Sequence, residues 1–186
     1  MADDPSIHEI ILSGGEPLMI DDAGLADIFH NASQIGHLRR IRIHTRMPIV
    51  IPSRVTSELI RVLRSTRLAC FVAVHINHPA EIDDEVTEAL AALIDNGIPV
   101  LSQTVLLRGI NDSADVLAAL FEQLIDRRVI PYYLHQLDRV SGAAHFETSD
   151  EMGRSIVDEL RRRLPGYAVP RFVREVPGAE SKSPLA

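Results

Sequence analysis

The segment Ser13-Gly14-Gly15-Glu16-Pro17 follows directly on the apolar run Ile10-Ile11-Leu12. Glycine has no Cβ and tolerates positive φ, so two glycines let a ligand approach bare backbone. The carboxylate of Glu16 can then accept charge-assisted hydrogen bonds from an ammonium group. Together they could hold an amino-acid-bearing ligand, although a Gly-Gly turn closed by a capping acid has the same spelling. Further hydrogen-bonding groups recur along the chain: His44-Thr45-Arg46, His75-Ile76-Asn77-His78-Pro79, Gln103, Arg108 with Asn111-Asp112, and His135-Gln136-Leu137-Asp138. Taken singly, each has an ordinary structural explanation. Asn111-Asp112 reads as a helix cap, His78 as the support of a turn before Pro79, and His8 and His37 as strand or surface residues. Their regular placement sets the series apart.

That placement follows from the elements. Strands are expected at His8 to Leu12, Ile41 to His44, Leu68 to Ile76, Ile98 to Leu101 and Val129 to Leu134, with a short last one at Val169 to Glu175. The run from Leu68 is nearly continuous in apolar residues, as a strand buried on both faces should be. Helices are expected between them. Ala23 to Ala32 is capped by Asp21 or Asp22. Arg54 to Ser65 carries Val55, Leu59, Ile60, Val62 and Leu63 at helical period. Asp83 to Asp95 is stopped by Asn96-Gly97, a C-terminal signal. Asp112 or Ser113 caps a helix through Ile125, and Ser149 caps a long one ending near Leu164-Pro165-Gly166. Five strand-then-helix units imply an α/β fold with a parallel sheet under helical cover. The polar series then falls at one end of the strands, where parallel-sheet proteins place their sites.

Composition bounds the possibilities. The chain has 186 residues, 46% of them hydrophobic, enough for one domain with a sizeable core. Its formal charge of −7 gives no general attraction for a phosphate backbone, so nucleic acid is excluded as an expected partner. Arg161-Arg162-Arg163 reads as a solvated helix face. The single cysteine, Cys70, cannot form an intrachain disulfide, which suits a cytoplasmic location, and its neighbours make it a core residue. The N-terminus has no basic region followed by an apolar core, so no signal peptide is expected, and no apolar run is long enough to span a membrane. A partial or full (βα) barrel over residues 1–176, with a small polar tail over 177–186 that reads as disordered on composition, is the expected organisation.

At Ser13-Gly14-Gly15-Glu16-Pro17-Leu18, Arg42-Ile43-His44-Thr45-Arg46 and His75-Ile76-Asn77-His78-Pro79 the chain resembles the lysine 2,3-aminomutase family of radical S-adenosylmethionine enzymes. The match continues through Gln103 and Val105 to Asp112. Pro131 to Asp138, Gly142 to Phe146, Arg174-Glu175 and Ser181 to Leu185 resemble the branch that makes (R)-β-lysine for modifying elongation factor P. The resemblance implies a radical SAM barrel of about five βα units, lacking the first, and a cofactor set of S-adenosylmethionine, pyridoxal phosphate and a [4Fe–4S] cluster. It implies that Gly14, Gly15 and Glu16 hold the methionyl amino group, where most relatives have Asp in place of Glu16. His75 and Gln103 match positions near S-adenosylmethionine, and Arg46 a contact to a cofactor phosphate or carboxylate. Lys182 matches the lysine that carries pyridoxal phosphate, a job that suits a mobile tail. Asp138 and Glu175 match two carboxylates that bind the distant ammonium of the substrate, L-lysine, whose amino group the family moves from C2 to C3.

The chain also departs from the family. The cluster needs three thiolates at C-x₃-C-x₂-C spacing, and Cys70 alone cannot supply them. No metal site is therefore expected, and the isolated chain is expected to lack aminomutase activity. The missing first unit would leave a bare sheet edge, so self-association is expected. The alternative is a non-catalytic binding protein for pyridoxal phosphate, an adenosyl compound or a lysine-like amine.

Overall fold

Alternation of apolar stretches with capped amphipathic segments gives the chain its elements. The computed structural model describes residues 3–138, 140–179 and 181–186. In order these are β1 (Glu9–Leu12), α1 (Asp22–Ser33), β2 (Arg40–Thr45), the single turn α2 (Met47–Val50), α3 (Ser57–Arg64), β3 (Ala69–His75), α4 (Asp84–Asp95), β4 (Val100–Leu106), α5 (Ala114–Asp126), β5 (Ile130–Gln136), α6 (Asp150–Arg163), β6 (Arg171–Arg174) and β7 (Ser183–Pro184). The five expected βα units are all present.

The helices start at side chains able to satisfy their free N–H groups. Asp21 accepts from Gly24 N at 2.8 Å, Thr56 from Leu59 N at 3.0 Å and Ser149 from Met152 N at 3.2 Å. Ser113, rather than Asn111 or Asp112, caps α5. The α4 helix stops as expected: Gly97 turns at φ +79°, and Gly97 N and Ile98 N donate to Ile94 O and Leu93 O. The α3 helix begins three residues later than expected, because Pro52–Arg54 forms a separate 3-10 turn. This leaves Arg54 outside the helix.

The chain divides into two compact units, Met1–His75 with Asp83–Leu101, and Ile76–Ile82 with Ser102–Ala186. In the first, β1, β2 and β3 are parallel neighbours, with Ile43 opposite both Leu12 and Val72. Strand β2 alternates strictly: Ile41, Ile43 and Thr45 are buried, whereas Arg40, Arg42 and His44 are half-exposed. Leu25 and Phe29 of α1 and Leu59 and Leu63 of α3 are likewise fully or almost fully buried, and the two helices pack against each other. In the second unit, β5 and β6 are parallel and pair Leu134 with Phe172, both fully buried. Gly153 of α6 lies against that Phe172 ring, and a Cβ there would sit 2.5 Å from Cε1 and overlap Cζ.

Strands β4 and β5 run further than their apolar composition suggests. Gln103 and Thr104 interrupt the hydrophobic run, yet they remain in the ladder: Ile76 N donates to Gln103 O at 3.0 Å and Thr104 Oγ1 donates to Ile76 O at 2.7 Å. Gln103 is therefore inside a strand, not beyond its end. The tail differs most from expectation. Small and polar, it nevertheless forms β7, antiparallel to β6, with Leu185 N donating to Phe172 O and Arg154 Nε donating to Leu185 O. Two ladder rungs and an arginine supply what its composition lacks.

Candidate functional site

In the first unit, the strand β1 ends in an exposed backbone turn. A Cβ added at Gly14 or Gly15 would meet nothing within 4 Å, and Gly15 sits at φ +62°. The bare backbone inferred from the sequence is thus open to a ligand. Glu16 is not idle: Oε1 accepts from Thr45 Oγ1 at 2.5 Å and Leu18 N at 3.1 Å, and Oε2 accepts from Arg46 N at 2.8 Å. A carboxylate has about four acceptor positions, so Glu16 can latch β1 to the end of β2 and still receive one more donor. Arg54 holds the same segment from its far side. Its Nε donates to Leu18 O at 2.8 Å, and Nη2 donates to Ile20 O at 3.0 Å and pairs with Asp22 at 2.7 Å. Nothing in the local sequence marks Arg54 for this, because the contact spans more than thirty residues.

Arg46 is exposed beside Glu16, and His75 is half-buried at the end of β3, its ring 6.1 Å from that of His44. The unit thus brings Gly14, Gly15, Glu16, Arg46 and His75 to the ends of three adjacent strands. Behind them on β2, Glu9 of β1 pairs with both Arg40 and Arg42.

In the second unit, Gln103 is almost fully buried and its Nε2 has no partner among the described residues. Buried polar atoms are ordinarily satisfied, so an orphan in the middle of β4 is a place where a ligand atom or water would be held. The nearby backbone is organised by Asn111. This fully buried side chain donates to Asn77 O and Val105 O, both at 2.8 Å, and accepts from Leu107 N at 2.7 Å. It is a hub, not the expected cap. His78 does support its turn, accepting from Ala80 N.

A cleft of about 570 Å³ opens beyond β5 and β6, lined by Leu137, Asp138, Glu147, Arg174, Glu175, Val176 and Pro177. It brings the two expected carboxylates, Asp138 and Glu175, to one place and adds a third, Glu147, which the sequence did not mark. Arg174 does not neutralise the cleft by default, since both its terminal nitrogens are engaged by Asp150 at the start of α6. Lys182 Nζ donates to Glu175 Oε2 at 2.9 Å and lies 5.8 Å from the Tyr133 ring centre. It is the sole lysine of the sequence and hence its only side-chain amine.

These residues suit some of the expected groups and not others. Open glycine backbone beside a carboxylate fits the amino-acid end of S-adenosylmethionine, and a primary amine beside an aromatic ring fits an aldehyde cofactor such as pyridoxal phosphate. An iron–sulfur cluster does not fit. Cys70 lies on β3, half-buried, with its thiol pushed up to about 12 by burial, and no group of three His, Cys, Asp or Glu that could hold a metal ion occurs among the described residues. The thiolate is the reactive form. Iodoacetamide at pH 8 is therefore expected to leave Cys70 unmodified in the folded chain and to alkylate it fully in denaturant. Rapid native labelling, followed by mass spectrometry, would contradict the buried thiol.

No family model matches the chain. It is 47% identical over 176 residues to L-lysine 2,3-aminomutase of Buchnera aphidicola subsp. Baizongia pistaciae, covering 95% of this chain and 52% of that protein. It is 45% identical over 181 residues to L-lysine 2,3-aminomutase of Escherichia coli, covering 97% and 53%. The chain spans about half the length of these curated relatives. Among solved structures it is similar to a radical SAM methyltransferase from Sphaerobacter thermophilus (TM-score 0.65, 21% identity, 91% of this chain and 52% of that one). It is also similar to a domain of pyruvate-formate lyase-activating enzyme from Bacteroides vulgatus (TM-score 0.60, 15% identity, 91% and 99%). These likenesses bear out the expected fold class, an α/β partial barrel of the radical SAM type. No helix of the described residues is long and apolar enough to cross a membrane.

Proposed function

We propose, for a chain homologous to the L-lysine 2,3-aminomutases across about half their length, that it carries the substrate-ammonium, pyridoxal phosphate and S-adenosylmethionine contacts of such an isomerase acting on L-lysine. The observation that carries this is the cleft that Asp138, Glu147 and Glu175 line together, with Glu175 bonded to the chain's only lysine. Three carboxylates along apolar Leu137, Val176 and Pro177 suit a ligand with a hydrocarbon stem and a terminal ammonium. Charge-assisted hydrogen bonds from that ammonium would fix one end of L-lysine and leave the other end to react.

Gly14, Gly15 and Glu16 would hold the methionyl amino group of S-adenosylmethionine, with His75 and Arg46 at its surroundings. Lys182 would carry pyridoxal phosphate. When bound, S-adenosylmethionine supplies the adenosyl group and pyridoxal phosphate the carbonyl that such chemistry uses. This chain's own residues bind and orient; with a single buried thiol it supplies no cluster ligands, and no step through a cluster is assigned to it. The isolated chain is accordingly a binding portion without turnover, in a cytoplasmic setting where the β-lysine product would serve elongation factor P. Its edge strand β1 makes self-association part of the same proposal.

The test is calorimetric titration of the chain with L-lysine and with norleucine, which lacks only the side-chain amine. L-Lysine is expected to bind, norleucine at least about tenfold more weakly, and Asp138→Asn to erase the difference, as expected for loss of a hydrogen bond to a charged group. Equal affinity for the two amino acids would sink the assignment. β-Lysine formed by this chain alone, after anaerobic incubation with iron and sulfide, would overturn its lack of turnover.

A further inference from the structure

We propose that Lys182 is a tethered occupant of its own chain's ammonium site, so that an external alkylammonium must displace it from Glu175 to bind in full. The inference rests on the assignment of the cleft to a substrate ammonium and concerns what regulates that site. Lys182 ends in the same group, a primary ammonium on a four-carbon stem, that the cleft is assigned to recognise. Its Nζ donates to Glu175 Oε2 at 2.9 Å, and its side chain is only 25% exposed. The Tyr133 ring 5.8 Å away offers a second favourable surface to the cation.

The contact is built, not incidental to a loose tail. Ser183, the next residue, pairs with Arg174, the residue before Glu175, in the antiparallel β6–β7 ladder. That register brings residue 182 alongside residue 175. Leu185 N on Phe172 O and Arg154 Nε on Leu185 O anchor the strand beyond it, and Arg174 is held by Asp150. A competitor tethered seven residues away acts at an effective concentration of order millimolar. Its advantage is bounded, because Glu175 is 61% exposed and an exposed ion pair contributes at most about fivefold in an equilibrium constant.

The consequence is an order of events. A group that engages Lys182 Nζ draws it away from Glu175 and completes the ammonium site. A cofactor that takes the lysine would therefore raise affinity for the amine ligand, and the amine ligand would in turn favour release of the lysine, since such coupling is reciprocal. Tail docking on β6 and ligand binding at Glu175 are thereby linked.

The experiment is titration of L-lysine, without any cofactor, into the wild-type chain, Lys182→Ala, Lys182→Gln and Lys182→Ala/Glu175→Gln. Both single variants are expected to bind L-lysine two- to fivefold more tightly than wild type, and the double variant to lose that gain. Lys182→Gln keeps most of the stem, so agreement between the two single variants excludes a collapsed tail as the cause. If norleucine is still discriminated from L-lysine but neither Lys182 variant binds more tightly, self-occupation is wrong and the cleft assignment stands. If norleucine and L-lysine bind alike in all four proteins, the cleft assignment fails and takes self-occupation with it.

Discussion

Asn111→Ala is expected to destabilise the folded chain by about 3–4 kcal/mol, the loss of three buried hydrogen bonds together with the groups they leave unsatisfied. The side chain is fully buried and bonds to Asn77 O, Val105 O and Leu107 N at 2.7–2.8 Å. For a chain of this size the corresponding fall in Tm is roughly 10 °C. Asp112→Ala, next to it and without a comparable network, is expected to stay within about 0.5 kcal/mol of wild type. Thermal unfolding followed by circular dichroism separates the two. A loss near 1 kcal/mol for Asn111→Ala, the usual cost of removing a helix cap, would mean that the hub contributes no more than the cap the sequence suggested.

Arg54→Ala is expected to weaken S-adenosylmethionine binding at least tenfold while leaving L-lysine binding in the second unit unchanged. The guanidinium holds Leu18 O, Ile20 O and Asp22 at once. Removing it frees the segment that follows Gly14-Gly15-Glu16 and leaves the half-buried Asp22 carboxylate without this cation. The Glu16 carboxylate, through Thr45, Leu18 and Arg46, then remains as the side-chain hold on the turn among the described contacts. Arg54→Lys keeps the charge but loses the planar fork that reaches three acceptors, so it is expected to restore only part of the affinity. Calorimetric titration with S-adenosylmethionine, and with L-lysine on the same proteins, gives the comparison. Equal loss of both ligands would show general unfolding, and an unchanged S-adenosylmethionine affinity would show that Arg54 does not position the glycine turn.

Much of the scaffold was legible in the chain itself. Caps such as Asp21 and Ser149 and the stop at Asn96-Gly97 act over three to five residues, so their spelling suffices. Apolar runs placed β1, β2 and β3 closely. Where polar residues serve inside a strand the signal failed: Gln103 and Thr104 looked like an ending and are ladder members. Arg54 looked like the start of a helix because α3 is preceded by residues compatible with one, and the 3-10 turn at Pro52–Arg54 turned its side chain to other uses. The candidate site divides in the same way. Gly14, Gly15 and Glu16 are contiguous and are marked as candidates by their spelling, and the sole lysine is marked by resemblance. Glu147 carries no local mark and joined Asp138 and Glu175 only through the cleft.

The sequence by itself determined the order of the five βα units, caps such as Asp21 and Ser149, the family likeness and the presence of one cysteine, since each depends on residue type or on neighbours a few positions apart. Only the tertiary structure decided which polar side chains are engaged with the chain itself. Arg54 reaches Leu18 and Ile20, Asn111 reaches Asn77, and a tail too small and polar to order itself is held as β7 by β6 and Arg154. Those contacts join residues about thirty or more positions apart for Arg54, Asn111 and Arg154, and for the tail depend on a strand register. Their energy comes from geometry that local composition does not encode.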